Sequence, residues 1–140
     1  MRITFLCFCS KRLTAYIEGK TLSLYYLLSI RVASGLPTLF QDNPDEVWYF
    51  DANGVHCLSS NMHWTNIQGI TRARVHWALV DSNRLVNDPA PLIFHKGSPP
   101  FFIVEAASPR DNRWAWSKYH GKTHCFYTQP FSLSEIFQGM

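Results

Sequence analysis

The chain of 140 residues has the length of a single domain and is long enough to bury a core. Hydrophobic residues make up 46% of it and aromatic residues 15%, which excludes a disordered chain. The net charge of +3 is too small to argue by itself for nucleic acid as a partner.

The first third of the chain predicts a strand and a long helix. Residues 3–9 are a continuous apolar run with the composition of a buried strand. Residues 20–35 carry apolar side chains at helical spacing, and Gly35 ends this helix. A helix this apolar is expected to be mostly buried against a sheet. Residues 41–45 have the composition of a loop.

The rest of the chain predicts mainly strands. These strands are residues 46–51, 55–58, 74–81, 101–106 and 124–129. Residues 62–70 are ambiguous and fit a short helix. Two further helices open at capping boxes, one over residues 108–119 and one from Ser132.

This order of elements predicts an α/β fold. Apolar strands that alternate with helices are typical of a three-layer domain in which helices cover both faces of a mostly parallel sheet. Ligands of such sheets bind at the carboxyl ends of the strands. Two central strands end in polar residues, Asp81 and Ser108, and we therefore expect a ligand site there.

Gly19-Lys20-Thr21 directly precedes the apolar helix and matches the second half of a phosphate-binding loop, the Walker A motif. In this motif the Gly lets backbone N–H groups approach the phosphates, the Lys reaches the β- and γ-phosphates, and the Thr hydroxyl ligates Mg²⁺. The N-terminus of the following helix adds a partial positive charge. The short match is a weak signal, because the full pattern requires Gly where the chain has Thr14, and because residues 121–123 repeat Gly-Lys-Thr before a predicted strand.

Asp81 ends an apolar strand, which is the Walker B pattern, and its carboxylate would accept the water shell of Mg²⁺ opposite the Walker A hydroxyl. The alternative is that Asp81 opens an Asx turn with Asn83. Ser108 and Arg110 follow the next apolar strand, where a polar side chain would reach the γ-phosphate or the attacking water. The alternative for Ser108 is that it only caps a helix.

Together these segments resemble the P-loop NTPase domain of the Crinkler and retrotransposon-hot-spot type proteins of fungi, oomycetes and trypanosomes. The resemblance is carried by residues 19–28, 77–82, 101–110 and 130–136. It implies ATP binding by a core of the STAND or AAA type, often fused to a nuclease-like or other effector domain. The residues expected to bind ATP are Gly19, Lys20, Thr21, Ser108 and Arg110, and those expected to hold Mg²⁺ are Thr21 and Asp81.

The chain departs from this family in ways that favour binding over hydrolysis. Residues 1–18 are an atypical N-terminal segment without the upstream Gly, and residues 19–140 are the predicted NTPase-like domain, truncated at its C-terminus and so incomplete. Ser82 stands where many related ATPases place the residue that polarises water. The expected function is therefore that of a nucleotide-binding domain. The alternative is a degenerate fragment that binds no nucleotide and acts, if at all, through protein–protein contacts.

Other site classes are weaker. The four cysteines form no C-x₂-C pair, which argues against a zinc site and for reduced thiols in the cytoplasm or nucleus. Residues 1–9 have a marginal resemblance to a signal peptide, so a secreted effector is the less favoured location. No apolar run is long enough to span a membrane. The basic residues are spread over several elements, so nucleic acid is not expected as a partner of this domain alone.

Overall fold

The structure is a computed structural model that describes residues 4–10, 18–94, 100–107, 116 and 122–128. The helices predicted over residues 108–119 and from Ser132 lie outside the described residues, apart from Trp116.

Within the described residues the chain forms one long helix, a short 3₁₀ turn and a single sheet of seven strands. The helix is α1 (Glu18–Ala33), and the turn is Trp64–Asn66. The strands are β1 (Thr4–Ser10), β2 (Thr38–Gln41), β3 (Glu46–Asp51), β4 (Gly54–Ser59), β5 (His76–Asp81), β6 (Phe101–Ala107) and β7 (Lys122–Thr128). The predicted short helix over residues 62–70 is reduced to the 3₁₀ turn.

The order of strands across the sheet is β4-β3-β2-β5-β6-β1-β7. β2, β5, β6, β1 and β7 run parallel to one another, and β3 pairs antiparallel with both β2 and β4. The chain is therefore of mixed α/β class, as predicted. β1 lies inside this sheet, between β6 and β7, so the first described residues share the sheet with the rest of the chain.

β2 is a strand that the sequence pattern does not reveal. All four of its residues, Thr38–Gln41, are buried, and the strand lies between β3 and β5. The prediction of a loop that starts at Gln41 is wrong for this residue, whose side chain is buried inside the fold. A run of four residues is too short to show a period of two, and the neighbouring Pro37 reads as a breaker.

The core consists of two clusters, one on each face of the sheet. The cluster under α1 contains Leu24, Leu28, Phe40, Leu79, Val104 and Ala106. The other includes Leu39, Ala78, Val80 and Ile103 from the opposite side of the same strands, covered by Val86, Leu92 and Ile93 from the segment between β5 and β6. Because successive strand residues point to opposite faces, both faces of the central strands are buried, which explains their continuous apolar sequence.

α1 begins at Glu18 and ends at Ala33. Gly35 has a φ of 67°, and the N–H groups of Gly35 and Leu36 bond to the carbonyls of Val32 and Arg31. This is a Schellman motif, so the predicted helix stop is confirmed. The outward face of the helix is exposed: Leu22 is 63% exposed, Tyr26 68% and Ile30 45%. The expectation of a mostly buried helix is therefore wrong for this face.

Within the described ranges, no helix has the length and apolar character that a membrane crossing requires.

Candidate functional site

The carboxyl ends of β2, β5, β6 and β1 lie at one edge of the sheet, because these strands are parallel. After β1 the chain passes through α1 to β2, whereas after β6 it leads to β7, on the other side of β1. β1 and β6 are neighbours whose connections leave in opposite directions. Open α/β sheets bind their ligands at such a point, outside the carboxyl ends of the strands.

Thr21 and Asp81 meet at this edge. The Thr21 hydroxyl, in the first turn of α1, donates a hydrogen bond of 3.1 Å to Oδ2 of Asp81, the half-buried last residue of β5. The turn after β5 is formed instead by Asn83, whose Oδ1 accepts the N–H groups of Leu85 and Val86 at 2.8 and 3.1 Å. The structure therefore directs the Asp81 carboxylate towards the helix and not into an Asx turn.

Lys20 also lies at this edge. Its Nζ donates a hydrogen bond of 3.1 Å to the carbonyl of Ala107, the last residue of β6. Gly19 is in the same first turn of α1, where backbone N–H groups have no partner within the helix. The ammonium of Lys20 is thus held beside the N-terminus of α1, near the point where the connections after β1 and β6 leave in opposite directions.

The Asp81 carboxylate is in an unfavourable electrostatic position. Burial raises its pKa above the ordinary value, and the negative charge of Asp42 raises it further, whereas the Thr21 hydroxyl and the Lys20 ammonium oppose the rise. A cation bound beside Asp81 would replace lost hydration and offset the second carboxylate. The arrangement therefore favours a cation ligand here.

Asp42 is a member of this site that the sequence pattern did not identify. β2 and β5 pair with Gln41 opposite Val80, so the next residues, Asp42 and Asp81, follow side by side. The Nδ2 of Asn83 donates a hydrogen bond of 2.7 Å to the Asp42 carbonyl and fixes the two chain segments to each other. The sequence pattern does not show that β2 is a strand, so Asp42 was predicted only as a residue of the loop 41–45.

The oxygens present fit Mg²⁺ better than a transition metal. Thr21 and Asp81 supply a hydroxyl and a carboxylate, and Mg²⁺ is usually held by one or two carboxylates together with phosphates and water. The described residues contain no cluster of three or more His, Cys, Asp or Glu side chains that could hold a metal by themselves. A metal at this edge would therefore depend on oxygens from a bound phosphate.

Two expected site residues, Ser108 and Arg110, lie outside the described residues, as does the segment 11–17 that would form the phosphate loop. Ser82 is buried, and its hydroxyl donates a hydrogen bond of 3.1 Å to the carbonyl of Val86. The strand predicted from His124 begins two residues earlier, so the second Gly-Lys-Thr contributes Lys122 and Thr123 to β7.

Comparison of the chain with family models, with curated proteins and with solved structures finds no match. The interpretation of the site therefore depends on its residues and on the arrangement of the strands.

Proposed function

We propose that this chain is a nucleotide-binding domain of the P-loop NTPase type that binds ATP together with Mg²⁺. The observation that carries the proposal is the convergence of Lys20, Thr21 and Asp81 at the N-terminus of α1. Asp81 is 60 positions from Thr21 in the sequence, and chance matches to the Walker A and Walker B patterns would not be expected to lie in contact.

The strand arrangement supports the same proposal. A P-loop is a strand, a loop and a helix whose N-terminus receives the phosphates. β1, residues 11–17 and α1 follow one another in this order, and β1 is one of the two neighbouring strands whose connections leave in opposite directions. A three-layer P-loop domain with a mostly parallel sheet is the specific fold that we propose within the α/β class.

Each residue has a distinct part in this proposal. Lys20 contacts the phosphates with its ammonium, and Gly19 allows the backbone to approach them. Thr21 and Asp81 hold Mg²⁺, directly or through its water. The metal, when bound, neutralises charge on the phosphates.

The more specific proposal is a relative of the Crinkler and retrotransposon-hot-spot proteins, located inside the cell and acting with a fused effector domain or a protein partner. Its support is the sequence resemblance, which includes Ser-Pro-Arg at residues 108–110. Ser108 and Arg110 would then approach the terminal phosphate from the end of β6.

One observation favours the alternative function, a domain that binds no nucleotide and acts through protein contacts. Leu22, Tyr26 and Ile30 repeat every fourth residue and form an exposed apolar stripe on α1. Such a stripe is typical of a surface that a protein partner covers. The two functions are separated by whether nucleotide binds.

The test is Mg²⁺-dependent binding of a fluorescent ATP analogue to wild type, to Lys20→Ala and to Lys122→Ala. Lys122 is the matched control, because it occupies the same position in the second Gly-Lys-Thr but lies in β7. We expect saturable binding to wild type and to Lys122→Ala, and at least about a tenfold loss of affinity in Lys20→Ala, since a charged hydrogen bond contributes about 1.5–3 kcal/mol. Folded wild-type protein that does not bind the analogue would refute the proposal.

A further inference from the structure

We infer that Asp42 is the carboxylate that polarises the attacking water, so that this domain hydrolyses the nucleotide it binds. The inference rests on the proposed function and goes beyond it, since the sequence after Asp81 favours binding alone.

The sheet register places Asp42 beside Asp81, at the carboxyl edge of the sheet where the nucleotide would lie. Phe40 of β2 and Leu79 of β5 are register partners, and both belong to the cluster under α1. Side chains two residues further along a strand return to the same face. Asp81, two residues after Leu79, therefore lies on the α1 side, and the bond from Thr21 confirms this direction. Asp42 directly follows the end of β2 and lies beside Asp81, because Gln41 and Val80 are register partners.

The chain holds Asp42 in this position from both sides. Its carbonyl accepts the 2.7 Å hydrogen bond from Asn83, which fixes it to the segment after β5. The following residue, Asn43, accepts hydrogen bonds from the N–H groups of Asp45 and Glu46 at 3.0 and 2.9 Å, which turns the chain immediately into β3. Asp42 is half-buried, and its Oδ1 accepts a hydrogen bond of 3.4 Å from Nδ2 of Asn43, which also orients the carboxylate.

Other described groups near this edge do not fit the role. Ser82 is buried with its hydroxyl on the Val86 carbonyl. Glu105 is adjacent in register to Val80, on the face opposite α1, and its Oε2 accepts a hydrogen bond of 3.1 Å from the Trp116 indole. Asp45 is exposed, three residues further along the loop. Asp42 is thus the best-placed carboxylate beside Asp81 among the described residues.

The reaction follows from this placement. The oxygen of a water molecule forms a bond to the γ-phosphorus, and the bond from this phosphorus to the bridging oxygen of ADP breaks, so that the electron pair leaves with ADP. Asp42 accepts one proton of the water during the attack and later releases it to solvent. The products are ADP and inorganic phosphate. General-base assistance of this kind contributes typically about 10²–10⁴-fold to the rate.

The experiment measures ATP binding and phosphate release on the full chain for wild type, Asp42→Asn, Asp81→Asn and Asp45→Asn, each checked for folding by circular dichroism. Asp45→Asn is the matched control, because it makes the same chemical change at an exposed position of the same loop. We expect Asp42→Asn to reduce phosphate release at least about 100-fold, while its affinity for ATP and the Mg²⁺ concentration needed for binding stay close to those of wild type. Asp45→Asn should retain both.

The outcomes are distinguishable. Wild type that binds ATP but releases no phosphate would overturn this inference and leave the proposed function intact, whereas wild type that does not bind would overturn both. An Asp42→Asn variant that hydrolyses at the wild-type rate would also overturn it. The inference would also be overturned if Asp42→Asn needed more Mg²⁺ than wild type to bind ATP, because Asp42 would then act as a metal contact. This is the behaviour expected of Asp81→Asn.

Discussion

The hydroxyl of Thr21 donates a hydrogen bond of 3.1 Å to the carboxylate of Asp81, although the two residues are 60 positions apart in the chain. The bond joins the first turn of α1 to the carboxyl end of β5. It places next to each other the hydroxyl and the carboxylate oxygen that the proposed Mg²⁺ site requires. A site assembled in this way loses less conformational entropy on binding than one whose ligands must first be ordered.

The hydroxyl itself is the part of Thr21 that we expect to matter. Thr21→Val keeps the shape of the side chain but removes the oxygen, and we expect it to reduce the affinity for ATP measured with Mg²⁺ by about tenfold. Thr21→Ser restores the oxygen and should bind close to wild type. The measurement is a titration with a fluorescent ATP analogue at fixed Mg²⁺, repeated with EDTA. Equal affinities of the Val and Ser variants would contradict the role of the hydroxyl.

The ionised carboxylate of Asp81 is expected to lower the stability of the folded protein. Its pKa is raised, chiefly by burial, so the folded state holds the ionised form less well than the unfolded state does. The resulting penalty is absent at pH values below the ordinary pKa of 3.8 and is complete above the raised pKa. We therefore expect Asp81→Asn to be more stable than wild type at pH 7, by on the order of 1 kcal/mol, with the difference shrinking towards pH 4.

Urea unfolding at both pH values, in EDTA, measures this difference. The same variant should lose Mg²⁺-dependent ATP binding, since an amide is a poorer ligand for a hard cation than a carboxylate. A variant less stable than wild type at pH 7 would mean that attraction to Lys20 and the bond from Thr21 outweigh the cost of burial.

His76 is expected to make the fold sensitive to mild acid. The residue is 3% exposed, and its Nε2 accepts a hydrogen bond of 3.3 Å from the Thr71 N–H. Burial lowers the pKa of His76, and the positive charges of Arg31 and Arg74 lower it further. The unfolded chain therefore binds a proton more readily, and stability falls as the pH drops from above 6.5 towards the lowered pKa.

The variant His76→Gln isolates this effect, because its amide oxygen can accept the Thr71 N–H but does not titrate. Between pH 7 and pH 5 we expect wild type to lose on the order of 1 kcal/mol more free energy of unfolding than the variant does. Each protein is compared with itself at the two pH values, so a constant cost of the substitution does not matter. If wild type and variant lose the same free energy of unfolding between the two pH values, His76 binds protons equally in the folded and unfolded states, and folding does not lower its pKa.

The sequence predicted much of the sheet because its central strands carry continuous apolar runs. β1, β3, β5, β6 and β7 lie within two residues of the predicted ranges. For β5 and β6 the reason is that strands buried on both faces must be apolar throughout. β2 was missed because four residues cannot show a period. The prediction that α1 is mostly buried was also wrong for its outward face, because apolar residues all around a helix indicate burial only when another element covers each face.

The candidate site was predictable only in part. Lys20, Thr21 and Asp81 carry recognisable local patterns, and the structure brings all three to one edge. Asp42 has no pattern of its own, and its place at the site follows from the pairing of β2 with β5. A residue that belongs to a site only because of the strand register cannot be predicted from the sequence until the register is known.

Arg31 is expected to be the main polar link between the end of α1 and the sheet. Its Nε donates to the Thr38 hydroxyl at 2.9 Å, its Nη2 donates to the Pro37 carbonyl at 3.2 Å, and its guanidinium lies 4.5 Å from the centre of the Trp77 ring. These contacts join the last turn of α1 to the start of β2 and to β5. Because a planar guanidinium makes all three at once, a flexible ammonium cannot replace it fully.

We expect Arg31→Ala to lower the free energy of unfolding by about 2–3 kcal/mol and Arg31→Lys by about half as much, since Lys keeps the charge but loses the two-pronged bonding and the stacking. Urea unfolding followed by tryptophan fluorescence measures both. Arg84→Ala is the control, because Arg84 is exposed and its loss should change stability by less than about 0.5 kcal/mol. If Arg31→Ala unfolds at the same urea concentration as this control, the helix is held to β2 and β5 by its apolar face alone, through Leu24 and Leu28.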